Sequence, residues 1–179
     1  AYLQELRTAT AAREAIESEL RIAGEIQLSL LPAPMKAEDR RRVDFATYIK
    51  PAREAGGDLY DGFFLPDGRF LILVGDVSGK GVPAAVFMAL AATAVRTLAR
   101  NVSEPGELLA QVNGLLCERN QTLQFVTACA ALLNPISGEL AWANAGHPLP
   151  ALVSPEGRLE WLDGPRSPPL GVFEESTFP

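Results

Sequence analysis

The alternation of apolar and polar positions changes period several times along the chain. Over residues 1–31, Leu6, Ala9, Ile16, Leu20, Ala23 and Leu30 recur at an approximate 3-4 spacing, and Arg13 and Gln27 interrupt two core positions. This period predicts one helix. It fits either a helix packed on its own domain or a two-stranded coiled coil whose polar interruptions weaken the seam and let it switch. Pro32 and Pro34 end the helix, because a residue that precedes proline avoids the helical region. After a charged connector, 43–49 reads as a strand. A hairpin follows: Phe63-Phe64-Leu65, a Pro66-Asp67-Gly68-Arg69 turn, then the apolar run 70–74.

Residues 79–83 turn the chain into a strongly helical stretch at 84–100, rich in alanine and short of charge until Arg96, hence buried on much of its surface. Ser103 reads as the N-cap of a further helix, with Pro105 in its first turn and an end near Glu118. The run 125–133 is an almost unbroken apolar strand, returned by a turn at 134–138 into 139–145. A last hairpin pairs 149–154 with 159–162. Strands, two consecutive helices, then more strands imply an α+β class rather than alternating βαβ units.

Composition narrows the picture. The 179 residues, 47% hydrophobic and 21% charged, are those of an ordinary soluble domain with perhaps one appended element. A net charge of −6 argues against nucleic acid, which demands a clustered basic surface. Arg40, Arg41 and Arg42 form the one basic run and read as a solvated connector. The longest apolar run, 84–95, is shorter than the about 20 residues that cross a bilayer. No secretory signal is visible, and Cys117 and Cys129 lack metal-ligand spacing. Both cysteines read as reduced core residues of a cytoplasmic protein. The chain begins in mid-helix and stops without a closing element, as a piece of a longer protein does.

Candidate chemistry gathers on the first hairpin. Gly56-Gly57-Asp58-Leu59-Tyr60-Asp61 opens it, and Gly75-Asp76-Val77-Ser78-Gly79-Lys80-Gly81 closes it. A hairpin brings its outer ends side by side, so Asp58 and Asp76 approach. Two carboxylates at one rim repel unless a cation lies between them, and a hard divalent ion such as Mg²⁺ or Mn²⁺ is the natural occupant. The plainer reading makes both aspartates turn residues beside glycine. Asp61 either orients water on a metal or caps a turn. Lys80 does not belong to a phosphate loop, because three residues rather than four separate Gly75 from Gly79 and Gly81 replaces the hydroxyl residue. His147, the one histidine, reads as a structural hydrogen-bonding residue, with protonation of a leaving serine oxygen as the alternative. Asn144 fixes its turn. Trp142 and Trp161 read as core or strand-face residues.

Taken in order, these motifs resemble one family. Gln27-Leu28-Ser29-Leu30-Leu31-Pro32, the two aspartate segments with Val82-Pro83-Ala84-Ala85 after the second, Asn144-Ala145-Gly146-His147-Pro148 and Pro168-Pro169-Leu170-Gly171 are similar to the SpoIIE/RsbU-type branch of the PPM metal-dependent serine/threonine phosphatases. The resemblance runs from about Ile22 onward. It implies an α/β/β/α sandwich of two antiparallel sheets flanked by helices, occupying 35–179, after a linker or coiled-coil-like regulatory helix at 1–34. It implies two metal ions, Mn²⁺ or Mg²⁺, held by Asp58, Asp76 and the Val77 backbone carbonyl, with Gly57, Asp61, Asn144 and His147 behind them. It implies hydrolysis of phosphoserine or phosphothreonine in a STAS-class anti-sigma-factor antagonist by a metal-activated water, and a homodimer through the N-terminal helix. The family's later acidic ligands have no counterpart before Pro179, and Asp163-Gly164 falls upstream of the loop where one would be due. The alternative is a catalytically incomplete phosphatase-like module that dimerises or binds a phosphoprotein.

Overall fold

A β-hairpin organises the molecule. In this computed structural model, which describes residues 2–29, 31–33, 35–49, 56–120 and 123–179, strand β1 (Asp58–Phe64) turns back into β2 (Phe70–Val77). The turn is pinned by the Leu65 N–H bond to the Arg69 carbonyl and by Gly68, whose φ of 88° suits a residue without Cβ. β3 (Val126–Leu133) and β4 (Leu140–Ala145) extend the hairpin into a four-stranded antiparallel sheet of order β1-β2-β3-β4. A separate two-stranded ribbon joins β5 (Ala151–Val153) to β6 (Leu159–Trp161). Together with the helices, these antiparallel sheets are of the α+β class.

Alternation along the strands divides the sheet into two faces. Leu59, Leu71, Leu73, Val77, Val126, Ala128, Ala130, Leu132, Ala143 and Ala145 share one face and are buried. Helices α2 (Val82–Leu98) and α3 (Pro105–Arg119) cover it with Phe87, Met88, Ala91 and Val95, and with Leu108, Leu109, Val112 and Leu116. The small residues of β3 and β4 leave room for these helices to lie close. The opposite face carries Asp58, Tyr60, Ile72, Val74, Asp76, Thr127, Cys129, Trp142 and Asn144.

Three expectations change. Residues 43–49 form no strand; Phe45 instead lies over Gly62, where a Cβ would come within 2.5 Å of its ring, and meets Phe70 edge-on at 5.4 Å. Side-chain packing, not a ladder, uses that segment's apolar residues. Glu104 rather than Ser103 is the N-cap of α3, and the Ser103 N–H donates to the Glu107 carboxylate at 3.2 Å. The apolar helical stretch, with the 3-10 turn that continues it, runs over Val82–Asn101, 20 residues long and apolar enough by length and composition to cross a membrane. Its apolar side is packed against the sheet here. Of the two readings given for Trp161, core or strand face, the exposed strand face of the ribbon is the one found.

Helix α1 (Tyr2–Ser29) packs against α2 and carries the surface ion pairs Arg13–Glu17 and Arg21–Glu25. Of the expected seam, Ile16 is exposed. Leu30 and the side chains of Leu6, Ala9, Leu20, Ala23 and Gln27 lie outside the described residues.

Candidate functional site

The ladder pairs Asp58 directly with Asp76. Directly opposed residues of an antiparallel pair project to the same face, and here that is the face away from α2 and α3. Gly57 completes the corner. Its carbonyl accepts the Val77 N–H at 3.1 Å. A Cβ at this position would run into the Val77 carbonyl oxygen and stand 2.8 Å from Asp76 Oδ1. Glycine therefore lets three oxygen-bearing groups crowd one rim. Burial pushes the Asp76 carboxyl above its ordinary value, and the charge of Asp58 pushes it further, with His147 opposing. Among the described residues, no N–H or O–H donates to either carboxylate.

Two carboxylates and a nearby carbonyl are hard oxygen donors, and the like-charge repulsion between them is what a divalent cation relieves. In that chemical sense the rim fits Mg²⁺ or Mn²⁺. The set is a small one: among the described residues, no group of three or more His, Cys, Asp or Glu side chains is arranged to hold a metal ion.

His147 stands beside this rim. Its N–H donates to Asn144 Oδ1 at 2.7 Å, while Asn144 Nδ2 donates back to the His147 carbonyl at 2.9 Å. Asn144 thus fixes the turn. The ring Nδ1 lies 2.9 Å from Thr127 Oγ1. Burial lowers the imidazole pKa, and the charges of Asp76 and Asp58 pull it partly back. The balance favours the neutral ring.

Asp61 is not part of this cluster. Three residues beyond Asp58 on a strand, it projects to the opposite face and lies 2% exposed beneath α2. There Arg96 Nη2 donates to its Oδ1 at 2.7 Å, and so does the Gly62 N–H at 2.8 Å. It braces the helix to the sheet, so neither the water-orienting role nor the turn cap describes it. Lys80 is exposed between Gly79 and Gly81, whose φ values of 88° and 77° carry the chain from β2 into α2. Asp163 accepts the Gly164 N–H at 3.0 Å.

Several supporting residues were not singled out from the sequence. Ser78 and Phe125 exchange two bonds, Ser78 N–H to the Phe125 carbonyl at 2.8 Å and Phe125 N–H to Ser78 Oγ at 2.9 Å. This ties the loop after Asp76 to the start of β3. Leu170 exchanges backbone bonds with Val126, and Gly171 is held through its N–H by Asn113 and through its carbonyl by Asn120. Asn113 lies within α3 and Asn120 is its C-cap, and an asparagine just past the end of a predicted helix was the available signal. Thr127, a polar residue in an apolar run, was another.

Against known proteins, residues 66–179 match the family model described as Stage II sporulation protein E (SpoIIE). The chain is 30% identical over 145 residues to the phosphoserine phosphatase RsbU of Bacillus subtilis, covering 80% of this chain and 42% of that protein. It is 29% identical over 164 residues to the phosphoserine phosphatase RsbP of the same organism, covering 89% and 40%. The chain thus spans about two fifths of the length of either relative. Among solved structures, the SiaA-PP2C domain of Pseudomonas aeruginosa superposes with a TM-score of 0.73 at 27% identity, over 90% of this chain and 65% of that one. The RsbU and RsbW domains of Rv1364c from Mycobacterium tuberculosis give 0.61 at 30% identity, over 76% and 36%. With well over half of its residues inside the family model and the PP2C fold around them, the chain belongs to the SpoIIE family.

Proposed function

We propose that the protein is a metal-dependent phosphoserine/phosphothreonine protein phosphatase of bacterial signalling, acting on a phosphorylated STAS-class anti-sigma-factor antagonist. The observation that carries this reading is the in-register pairing of Asp58 with Asp76 on a rim where no described residue donates to either carboxylate, in a chain similar to two phosphoserine phosphatases. Two bound divalent ions would supply an activated water and charge compensation for the phosphoryl oxygens. The chain's own part is to hold them through Asp58, Asp76 and the Val77 carbonyl, with Gly57 keeping that corner open. His147, fixed by Asn144 and Thr127, offers a hydrogen bond at the edge of the rim. We place the protein in the cytoplasm, as a homodimer through α1. The test is phosphate release from a phosphorylated STAS-domain protein with Mn²⁺ or Mg²⁺. Asp76→Asn abolishes it on this reading, and undiminished release by that variant refutes it.

The small acidic set favours a second reading, a module that binds a phosphoprotein or dimerises without turnover. Wild-type chain that binds the phosphoprotein yet releases no phosphate at any metal concentration would select it. For the dimer, light scattering that returns a monomer at high concentration, with or without residues 1–31, counts against α1 as the interface.

A further inference from the structure

The carboxylate rim does not stand alone on its face of the sheet. His147 lines the cleft that contains Asp58, and it also lines a cavity of about 320 Å³ at the end of β4, together with Trp142, Asn144, Asp163, Gly164 and Arg166. That volume lies at the lower end of small-ligand sites. Its walls are fixed by local bonding. Asn144 and His147 hold one side through their reciprocal bonds. Gly146, with φ of 68°, packs on Pro169, and the Ala145–Ser167 bridge ties the neighbouring segment to β4. On the other side the backbone at Gly164 lies against the Trp142 indole, where an added Cβ would come within 3.1 Å of the ring. The glycine lets this backbone pack on the indole, and Trp142 and Gly164 together form part of the cavity wall. Arg166 is the basic side chain of the lining, exposed and without an ion pair to any described residue.

Resting on the phosphatase reading above, we infer that this cavity receives a side chain of the substrate protein a few residues from its phosphorylated serine, and that Arg166 selects an acidic one. The spacing follows from the sheet. Asp76 is on β2 and Asn144 on β4, with β3 between them. Two strand spacings are about 9.5 Å, and the register sets Asn144, opposite Cys129, two residues along from Asp76, opposite Thr127, so the diagonal is about 12 Å; an extended peptide advances about 3.3 Å per residue. A phosphoserine at the rim therefore delivers to the cavity the side chain two to four positions away. Trp142 supplies an apolar surface for its methylenes and Arg166 a partner for its carboxylate.

Trp142 is itself the reporter. The chain has two tryptophans, and Trp161→Phe removes the exposed one. The probes are nine-residue alanine peptides with a central non-hydrolysable phosphonate isostere of phosphoserine, each carrying one glutamate at a different flanking position. They are titrated in Mg²⁺ buffer while Trp142 fluorescence is read. Glutamate at one position two to four residues from the centre should tighten binding about two- to fivefold, the worth of a solvent-exposed ion pair. Arg166→Glu, a change at an exposed site, should abolish or invert that preference and leave the affinity for the free phosphonate amino acid unchanged. Equal affinity for every glutamate position, or an unaltered profile in Arg166→Glu, overturns the inference while sparing the phosphatase reading. Peptides with a central alanine that bind as tightly, with the same position dependence, would support the cavity's preference and sink the phosphatase reading of the rim.

Discussion

Replacing Arg96 by methionine isolates the electrostatic brace between α2 and β1. Methionine keeps an aliphatic stem against Phe63, over whose ring the guanidinium carbon now lies at 4.9 Å. It removes the cation 2.7 Å from Asp61 Oδ1 and leaves the Gly62 N–H as that carboxylate's remaining described donor. Breaking a fully buried pair costs about 3–5 kcal/mol. Here the Arg96 side chain is 47% exposed while that of Asp61 is 3% exposed, so water already screens half of the pair. The expected loss falls to about 1.5–3 kcal/mol, the range of a hydrogen bond to a charged group. For a chain of this size that lowers Tm by about 3–12 °C. The pH dependence has a definite sign. Burial raises the Asp61 carboxyl above its ordinary value, and the Arg96 bond and charge pull it back. Without Arg96 the folded-state value rises further. A carboxyl with a raised folded-state pKa contributes stability below its unfolded value and loses it as pH climbs through the folded value. The deficit of Arg96→Met is therefore largest at pH 7 and shrinks toward pH 4. Urea unfolding of wild type and variant at both pH values measures it. A deficit that is independent of pH, or larger in acid, refutes the reasoning.

Gly57→Ala drives a Cβ into the Val77 carbonyl; overpacking of this kind costs about 1–3 kcal/mol, read as a lower urea midpoint, and an unchanged midpoint would show that the corner has slack. Asn113→Ala should cost about 2–4 kcal/mol in thermal unfolding, because the fully buried amide donates to the Phe173 and Glu174 carbonyls and accepts the Gly171 N–H. Cys129 is buried and its thiol is pushed up to about 11; at pH 8 iodoacetamide should label Cys117 first and Cys129 only after unfolding, as mass spectrometry would report.

The hairpin that bears Asp58 and Asp76 was legible because its signals are local. A Pro-Asp-Gly turn between two apolar runs sets the register, and the register alone brings the outer ends together. The two helices were legible from alanine content, a proline in the first turn and the 3.6 period. Residues 43–49 were not, since an apolar segment looks the same whether it enters a ladder or drapes Phe45 over Gly62 and Phe70. The difference lies in whether a neighbouring strand edge is free, which is a property of the finished sheet. Ser103 misled for a related reason. Ser103 is the better capping residue by type, but Pro105 takes the first helical position, which leaves Glu104, with extended φ −125° and ψ 146°, as the cap without a side-chain bond.

Asp61 shows what separates a motif from a site. Asp58 and Asp61 occur in one short string, yet three residues on a strand is an odd number, and odd spacing sends side chains to opposite faces. Once β1 is granted as a strand, only one of the two carboxylates can share a face with Asp76. The other must be buried under the helices and must find a cation there. Arg96, the first charge in an otherwise apolar helical run, is the residue that answers. It sits half-exposed in the last turn of α2, and its guanidinium reaches in to the buried carboxylate. Parity alone takes Asp61 out of the rim, the 2.7 Å contact with Arg96 assigns it to the brace, and the rim is left to Asp58, Asp76 and the groups that gather round them.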